Sequence, residues 1–162
     1  MYLSELLNEE AILLGLASRD KESCIKELVQ LLETAHRINT RGEILSKVLQ
    51  RESMMSTGIG NGVAIPHGKT RQLEQLIAAC GVARPGIDFD SMDGEPASLF
   101  ILLVSPENQR GPHVKALANV SRLLKEETVR SGLLGSATPR EFLERLKNAE
   151  FQYLSRDSAA PR

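Results

Sequence analysis

Of the three histidines in this 162-residue chain, His67 stands in the setting most suited to reactivity. It follows Ser56-Thr57-Gly58-Ile59-Gly60-Asn61-Gly62 and the short apolar run Val63-Ala64-Ile65, and it lies between Pro66 and Gly68. Glycines at 58, 60, 62 and 68 keep side chains off the backbone, which leaves an imidazole accessible and lets a second molecule approach. Pro66 has no N–H and restricts the residue before it, so a strand over Val63–Ile65 is expected to stop there. An imidazole of ordinary pKa, about 6.5, offers a neutral nitrogen lone pair near pH 7. Such a nitrogen is a nucleophile for a phosphoryl group.

Other chemistries fit the spacing less well. Gly58-Ile59-Gly60-Asn61-Gly62 lacks the dinucleotide-binding spacing, and a strand rather than a helix is read after it. Gly68-Lys69-Thr70 has the ending of a nucleotide P-loop, but Val63 stands where the first glycine is needed. His36, His67 and His113 have no partner ligands at zinc-site spacing, and no Gly-x-Ser-x-Gly elbow is present. Cys24 and Cys80 lie among apolar residues without metal or redox spacing and are read as reduced, buried thiols. His36 sits in a polar turn beyond an apolar stripe and is read as an ordinary surface residue.

Hydrophobic spacing outlines the elements that must hold these side chains. From Asp20 to Ala35 the apolar positions Ile25, Leu28, Val29, Leu31, Leu32 and Ala35 form one helical face. Thr40 and Glu43 read as a capping box that opens a second helix, ending near Glu52. The glycine-rich stretch reads as a turn. Ile77–Ala83 and Ser98–Val104 read as strands, the latter apolar throughout and therefore central in a sheet, with turns at Pro85-Gly86 and Asp93-Gly94 between them. Helices follow from about Gly111-Pro112 to Leu124, from Glu126 to Leu134, and from Thr138-Pro139 onward, the last burying Phe142 and Leu146. Helices before, between and after strands predict a layered α/β domain over residues 1–154, with a polar, flexible tail over 155–162.

Composition narrows the function classes. With 41% hydrophobic and 25% charged residues the chain is expected to fold. Twenty basic residues against 21 acidic ones give a net charge of -1, with no basic cluster of the kind that nucleic acid requires. No export signal or membrane-spanning run is read, so a cytoplasmic location is expected.

Arg51-Glu52-Ser53, followed by Ser56 through Gly68, resembles the active-site signature of the fructose/mannitol-type (type 2) enzyme IIA domains of the bacterial phosphoenolpyruvate-dependent sugar phosphotransferase system. It is most similar to the nitrogen-regulatory branch, and the likeness extends from about Leu3 to Lys147. The resemblance implies a three-layer sandwich with a mixed, mainly five-stranded sheet between helices. It implies that His67 is the phosphorylated nucleophile, attacking through Nε2, with Arg51 and His113 as its active-site companions. Thr57, Gly58, Gly60, Asn61 and Gly62 would form a loop contacting the phosphoryl group or a partner. The implied donor is an HPr-like phosphocarrier protein, and the acceptors are regulated proteins or a fructose- or mannitol-type IIB domain. No cofactor or metal is implied. Absence of a second carrier domain or membrane segment in the chain favours a regulator over a sugar-uptake component. The physics is consistent: a phosphoryl dianion suits the donor fork of an arginine and the N-terminus of a helix carrying His113.

Overall fold

The computed structural model describes residues 1–158. Two 3-10 turns, Leu3–Leu6 and Glu9–Ala11, lead into strand β1 (Ile12–Leu13) and helices α1 (Lys21–Ala35) and α2 (Glu43–Met54). Strands β2 (Gly58–Gly60), β3 (Val63–Ala64), β4 (His67–Thr70), β5 (Ile77–Ile87) and β6 (Ala97–Pro106) follow. Helices α3 (Arg110–Leu123), α4 (Glu127–Leu134) and α5 (Pro139–Ser158) close the chain.

β6 is apolar on both faces because both faces are covered. Leu99, Ile101 and Leu103 pack with Val120, Phe142 and Leu146 of α3 and α5 on one side. Phe100, Leu102 and Val104 alternate with them and pack with Leu28, Leu32, Ile44 and Val48 of α1 and α2 on the other. The result is the expected three-layer sandwich, with β6 central: β5 runs antiparallel along one edge, β3 and β4 parallel along the other. The sheet has six strands in the order β1-β5-β6-β3-β2, with β4 also paired to β6.

The sixth strand reconciles with the expected five because β3 and β4 form one interrupted line. Val63 is opposite Leu99 and His67 opposite Leu103, so the register does not change across Ile65-Pro66. Pro66 therefore interrupts the strand but does not end it: its carbonyl still accepts from Leu103 N–H at 3.1 Å, and the chain resumes pairing at His67. The glycine-rich stretch read as a turn is an antiparallel hairpin of β2 and β3. Its tip is Gly60-Asn61-Gly62, with φ of 91°, 58° and 75°. Pro85-Gly86 is not a turn between strands. β5 continues to Ile87, absorbing these residues in a register shift against β6 after Val82.

At the helix ends, Gly42 with φ 88° is the N-cap of α2 in place of Thr40. Thr40 Oγ1 still accepts from Ile44 N–H, but the Glu43 carboxylate turns away to Thr70 and Gln72 instead of closing a capping box. Asp20 caps α1, accepting from Ser23 N–H at 2.9 Å. His36 is not a free surface residue: it is half-buried at the end of α1, and its Nε2–H donates to the Ala78 carbonyl of β5 at 2.9 Å. Both cysteines are buried, which pushes their thiols up, Cys24 to about 12. α5 carries helix through Ser158, past the point where the polar tail was expected to begin, and residues 159–162 of that tail lie outside the described residues.

Gly68 is the residue that lets α2 lie against β4. A Cβ there would stand 3.1 Å from Val48 Cγ2, 3.3 Å from Val48 N and 3.4 Å from the Lys47 carbonyl carbon. Two of these neighbours are backbone and cannot rotate away. Gly68→Ala should therefore push α2 outward and lower stability by about 1–3 kcal/mol, the usual cost of overpacking. Urea unfolding of the two proteins measures it, and an unchanged midpoint would show that α2 can yield freely.

Candidate functional site

His67 opens β4, whose outer edge carries no further strand among the described residues. Its ring turns back on its own chain, and Nδ1–H donates to the carbonyl of Ile65 at 2.9 Å. With its one hydrogen held on Nδ1, the neutral ring presents Nε2 as the nitrogen with a free lone pair. Burial pushes the pKa of His67 below its ordinary value. The bond to Ile65 works against that, and the charge on Arg51 adds to it. The ring is therefore neutral at pH 7.

The carbonyl of Ile65 is free for this bond for an identifiable reason. In the hairpin, Ile65 N–H donates to the Thr57 carbonyl at 3.0 Å, and an antiparallel pair would ordinarily return Thr57 N–H to Ile65. Here Thr57 N–H goes instead to Glu52 Oε2 at 2.8 Å, and the Thr57 hydroxyl goes to Glu52 Oε1. Glu52 is itself buried and paired with Lys21 Nζ at 2.9 Å. The intercepted N–H leaves Ile65 to the imidazole.

A cleft of about 340 Å³ lies beside His67, lined by Lys47, Gln50, Arg51 and Met54 of α2, Gly68 and Lys69 of β4, Glu107 and His113. Lys47 and Arg51 are one helical turn apart and share a face. Lys69 is two residues beyond His67 and so faces the same way from β4. Arg51 Nη1 donates to the Met55 carbonyl at 2.8 Å, which steadies the guanidinium at the end of α2. Glu107, the one acid in the lining, pairs with Arg71 at 2.9 Å.

His113 comes from the first turn of α3 and is 3% exposed. Its ring lies 5.4 Å from that of His67, centroid to centroid, tilted by 56°. Nδ1 is hydrogen-bonded to the hydroxyl of Ser105, at the far end of β6. Burial first, then the charges of His67 and Lys69, push the pKa of His113 down to about 4.

His67, Arg51 and His113 are thus brought together. The glycine-rich residues are placed otherwise. Thr57, Gly58, Gly60, Asn61 and Gly62 do not line the cleft. Thr57 is buried against Glu52, Gly58 sits against Ser91, and Asn61 N–H donates to Asp93 Oδ2 at 3.1 Å. Of these, Thr57 bears on His67 through Ile65, whose N–H its carbonyl accepts. Lys47 and Ser105 were not singled out from sequence, and Glu52 and Lys69 were named only within motifs, without a role at the site. Lys47 sits four residues before Arg51, and Lys69 alternates with His67, so periodicity carried a signal for both. Ser105 and Glu52 reach the site through contacts no spacing rule reveals. Among the described residues no group of His, Cys, Asp and Glu is arranged to hold a metal ion, and no helix is long and apolar enough to cross a membrane.

Comparison with known proteins bears on family and fold. The family model for the phosphoenolpyruvate-dependent sugar phosphotransferase system, EIIA 2, matches residues 5–149. The chain is 40% identical over 134 residues to the fructose-specific EIIABC component of Bacillus subtilis, covering 83% of this chain but only 21% of that protein's length. It is 38% identical over 136 residues to the nitrogen regulatory protein of Bradyrhizobium diazoefficiens, covering 84% of this chain and 88% of the relative. The crystal structure of nitrogen regulatory protein IIA-Ntr from Neisseria meningitidis superposes with a TM-score of 0.82 at 30% identity, covering 88% of this chain and 97% of that one.

The depressed pKa of His113 has a consequence for stability. Above pH 6.5 the ring is neutral in both folded and unfolded chains and contributes nothing. As pH falls from 6.5 toward 4, the unfolded chain takes up a proton that the folded protein refuses, so stability is lost across that window. The loss is at most on the order of 3 kcal/mol. Urea unfolding at pH 7.5 and 4.5 should show it, and His113→Gln should flatten the difference; an equal loss in the variant would assign the effect elsewhere.

Proposed function

Since the chain belongs to the EIIA 2 family of the phosphoenolpyruvate-dependent sugar phosphotransferase system, we propose that it is a phosphocarrier whose His67 Nε2 takes a phosphoryl group from an HPr-like carrier. The observation that carries this reading is the Nδ1–H bond of His67 to Ile65, which leaves Nε2 unprotonated beside a cationic cleft. In the transfer, the lone pair of Nε2 attacks phosphorus in line as the donor's P–N bond breaks. The donor imidazole, carrying a hydrogen on its other nitrogen, leaves with the bonding pair as a neutral ring, while His67 keeps its hydrogen on Nδ1 and becomes the phosphoimidazolium, so no proton has to move. One P–N bond replaces another, and the protein's part is position and charge.

The charge comes from side chains. Arg51 offers its donor fork to the phosphoryl oxygens, Lys47 and Lys69 add positive charge, and His113 adds a donor from the start of α3. The one carboxylate in the lining, Glu107, is already engaged by Arg71. Cations of this number neutralise a phosphoryl dianion without help from a metal ion. A depressed His67 pKa keeps the nucleophile available in mildly acidic solution.

In this reading the protein acts in the cytoplasm mainly as a regulator. Phosphorylation adds about -1.5 to -2 charge at one surface cleft and alters binding to regulated partners. The near end-to-end likeness to nitrogen regulatory proteins favours this role. A second reading, a sugar-uptake IIA component that passes the group to a IIB domain, draws on the 40% identity to a fructose-specific EIIABC component.

Incubation with phosphoenolpyruvate, enzyme I and the HPr-like carrier should place acid-labile, base-stable phosphate on the wild type and none on His67→Ala. Equal labelling of both would remove His67 from the reaction. Arg51→Ala should slow labelling on the order of tenfold to a hundredfold, the value of a hydrogen bond to a charged oxygen. Chelation of divalent ions after the carrier is charged should leave the carrier-to-protein step unchanged; strict Mg²⁺ dependence of that step contradicts the charge argument. Addition of fructose- and mannitol-type IIB domains separates the two roles: movement of label onto IIB favours uptake, retention favours regulation.

A further inference from the structure

Ser105 lies on β6 opposite Lys69 of β4 and is fully buried. Its hydroxyl meets Nδ1 of His113, the only hydrogen bond of that hydroxyl among the described residues. A serine hydroxyl has one hydrogen to give, and a neutral imidazole has one nitrogen that donates and one that accepts. If Nδ1–H were the donor, the hydroxyl hydrogen would be left unmet where water does not reach. An orphaned buried donor is the costlier error, since the oxygen's lone pairs tolerate partial satisfaction better. The opposite assignment leaves no such orphan. The hydroxyl donates to Nδ1, and the ring hydrogen of His113 sits on Nε2, the nitrogen away from Ser105, on a ring that lines the cleft.

The two cleft histidines are then held in opposite tautomers by two different anchors. Ile65 keeps the hydrogen of His67 on Nδ1, so that ring presents a lone pair. Ser105 keeps the hydrogen of His113 on Nε2, so that ring presents a donor. At 5.4 Å between ring centres, a phosphoryl group on one is within reach of the other. We infer that Ser105 is a positioning residue that fixes His113 as an N–H donor to the phosphoryl group on His67, an inference that rests on the phosphocarrier reading. Ser105 touches neither the nucleophile nor the transferred group, and it acts only through His113.

Long-range ¹⁵N–¹H NMR of histidine-labelled, unphosphorylated protein reads each ring's tautomer directly. The expected result is hydrogen on Nδ1 for His67 and on Nε2 for His113, the latter kept in Ser105→Thr and mixed in Ser105→Ala. In transfer kinetics, Ser105→Ala should lower kcat on the order of tenfold, as loss of a supporting hydrogen bond does, with the KM for the HPr-like donor unchanged. Ser105→Thr should restore the rate, and in a His113→Ala background Ser105→Ala should cost nothing more. Hydrogen found on Nδ1 of His113 in the wild type overturns the inference. So does a wild-type rate in folded Ser105→Ala, or the same loss in the His113→Ala background. Wild-type protein that takes no label on His67 overturns the phosphocarrier reading as well, whereas failures confined to Ser105 or to the tautomer of His113 leave that reading standing.

Discussion

The site depends on one backbone carbonyl being left without a backbone partner. Ile65 lies in the hairpin at the position where Thr57 would ordinarily return an N–H to its carbonyl. The buried carboxylate of Glu52 takes that N–H instead. A buried acceptor with no donor is costly, and the donor nearest at hand is the ring of His67 two residues on. The Nδ1–H tautomer of His67 is thus set by hydrogen-bond satisfaction in the sheet, and the sheet is in turn held by the two apolar cores that bury β6.

Around that carbonyl, the layers supply complementary parts. β4 points His67 and Lys69 toward the α3 layer, where Ser105 and His113 wait, while Gly68 lets α2 close on the other face. Because no strand covers the outer edge of β4, Lys47 and Arg51 reach the cleft from α2 around that edge. His67 therefore stands between two helical layers, with cations from one and a second imidazole from the other. Burial is the first cause of the depressed pKa of both His67 and His113, and Lys69 adds to both.

Much of this was legible in the sequence because local rules carried it. Apolar periodicity marked α1 and α2, the unbroken apolar run marked β6 as central, and Thr138-Pro139 marked the start of α5, where Thr138 Oγ1 accepts from Glu141 N–H at 3.1 Å. His67 stood out by its glycine and proline neighbours. What was not legible depended on pairing between distant segments. β4 was missed because Pro66 reads as a terminator, and only the preserved register against β6 shows that the strand resumes. β1 has just two residues and exists because β5 offers it an edge. His36 looked like a turn residue because nothing local shows that Ala78 lies above it. The glycine run looked like a turn, whereas its backbone pairs as the β2–β3 hairpin and lies outside the cleft.

The unbroken register across Ile65-Pro66 also sets a length. Side chains alternate between the two helical layers along Val63–Thr70, so the count of residues from the hairpin to His67 decides which layer each one meets. Adding or deleting one residue there would exchange the faces of everything beyond it, sending His67 and Lys69 toward Val48 and bringing Gly68 and Thr70 round to His113. Along Val63–Thr70 the fold therefore tolerates a change of side chain more readily than a change in number.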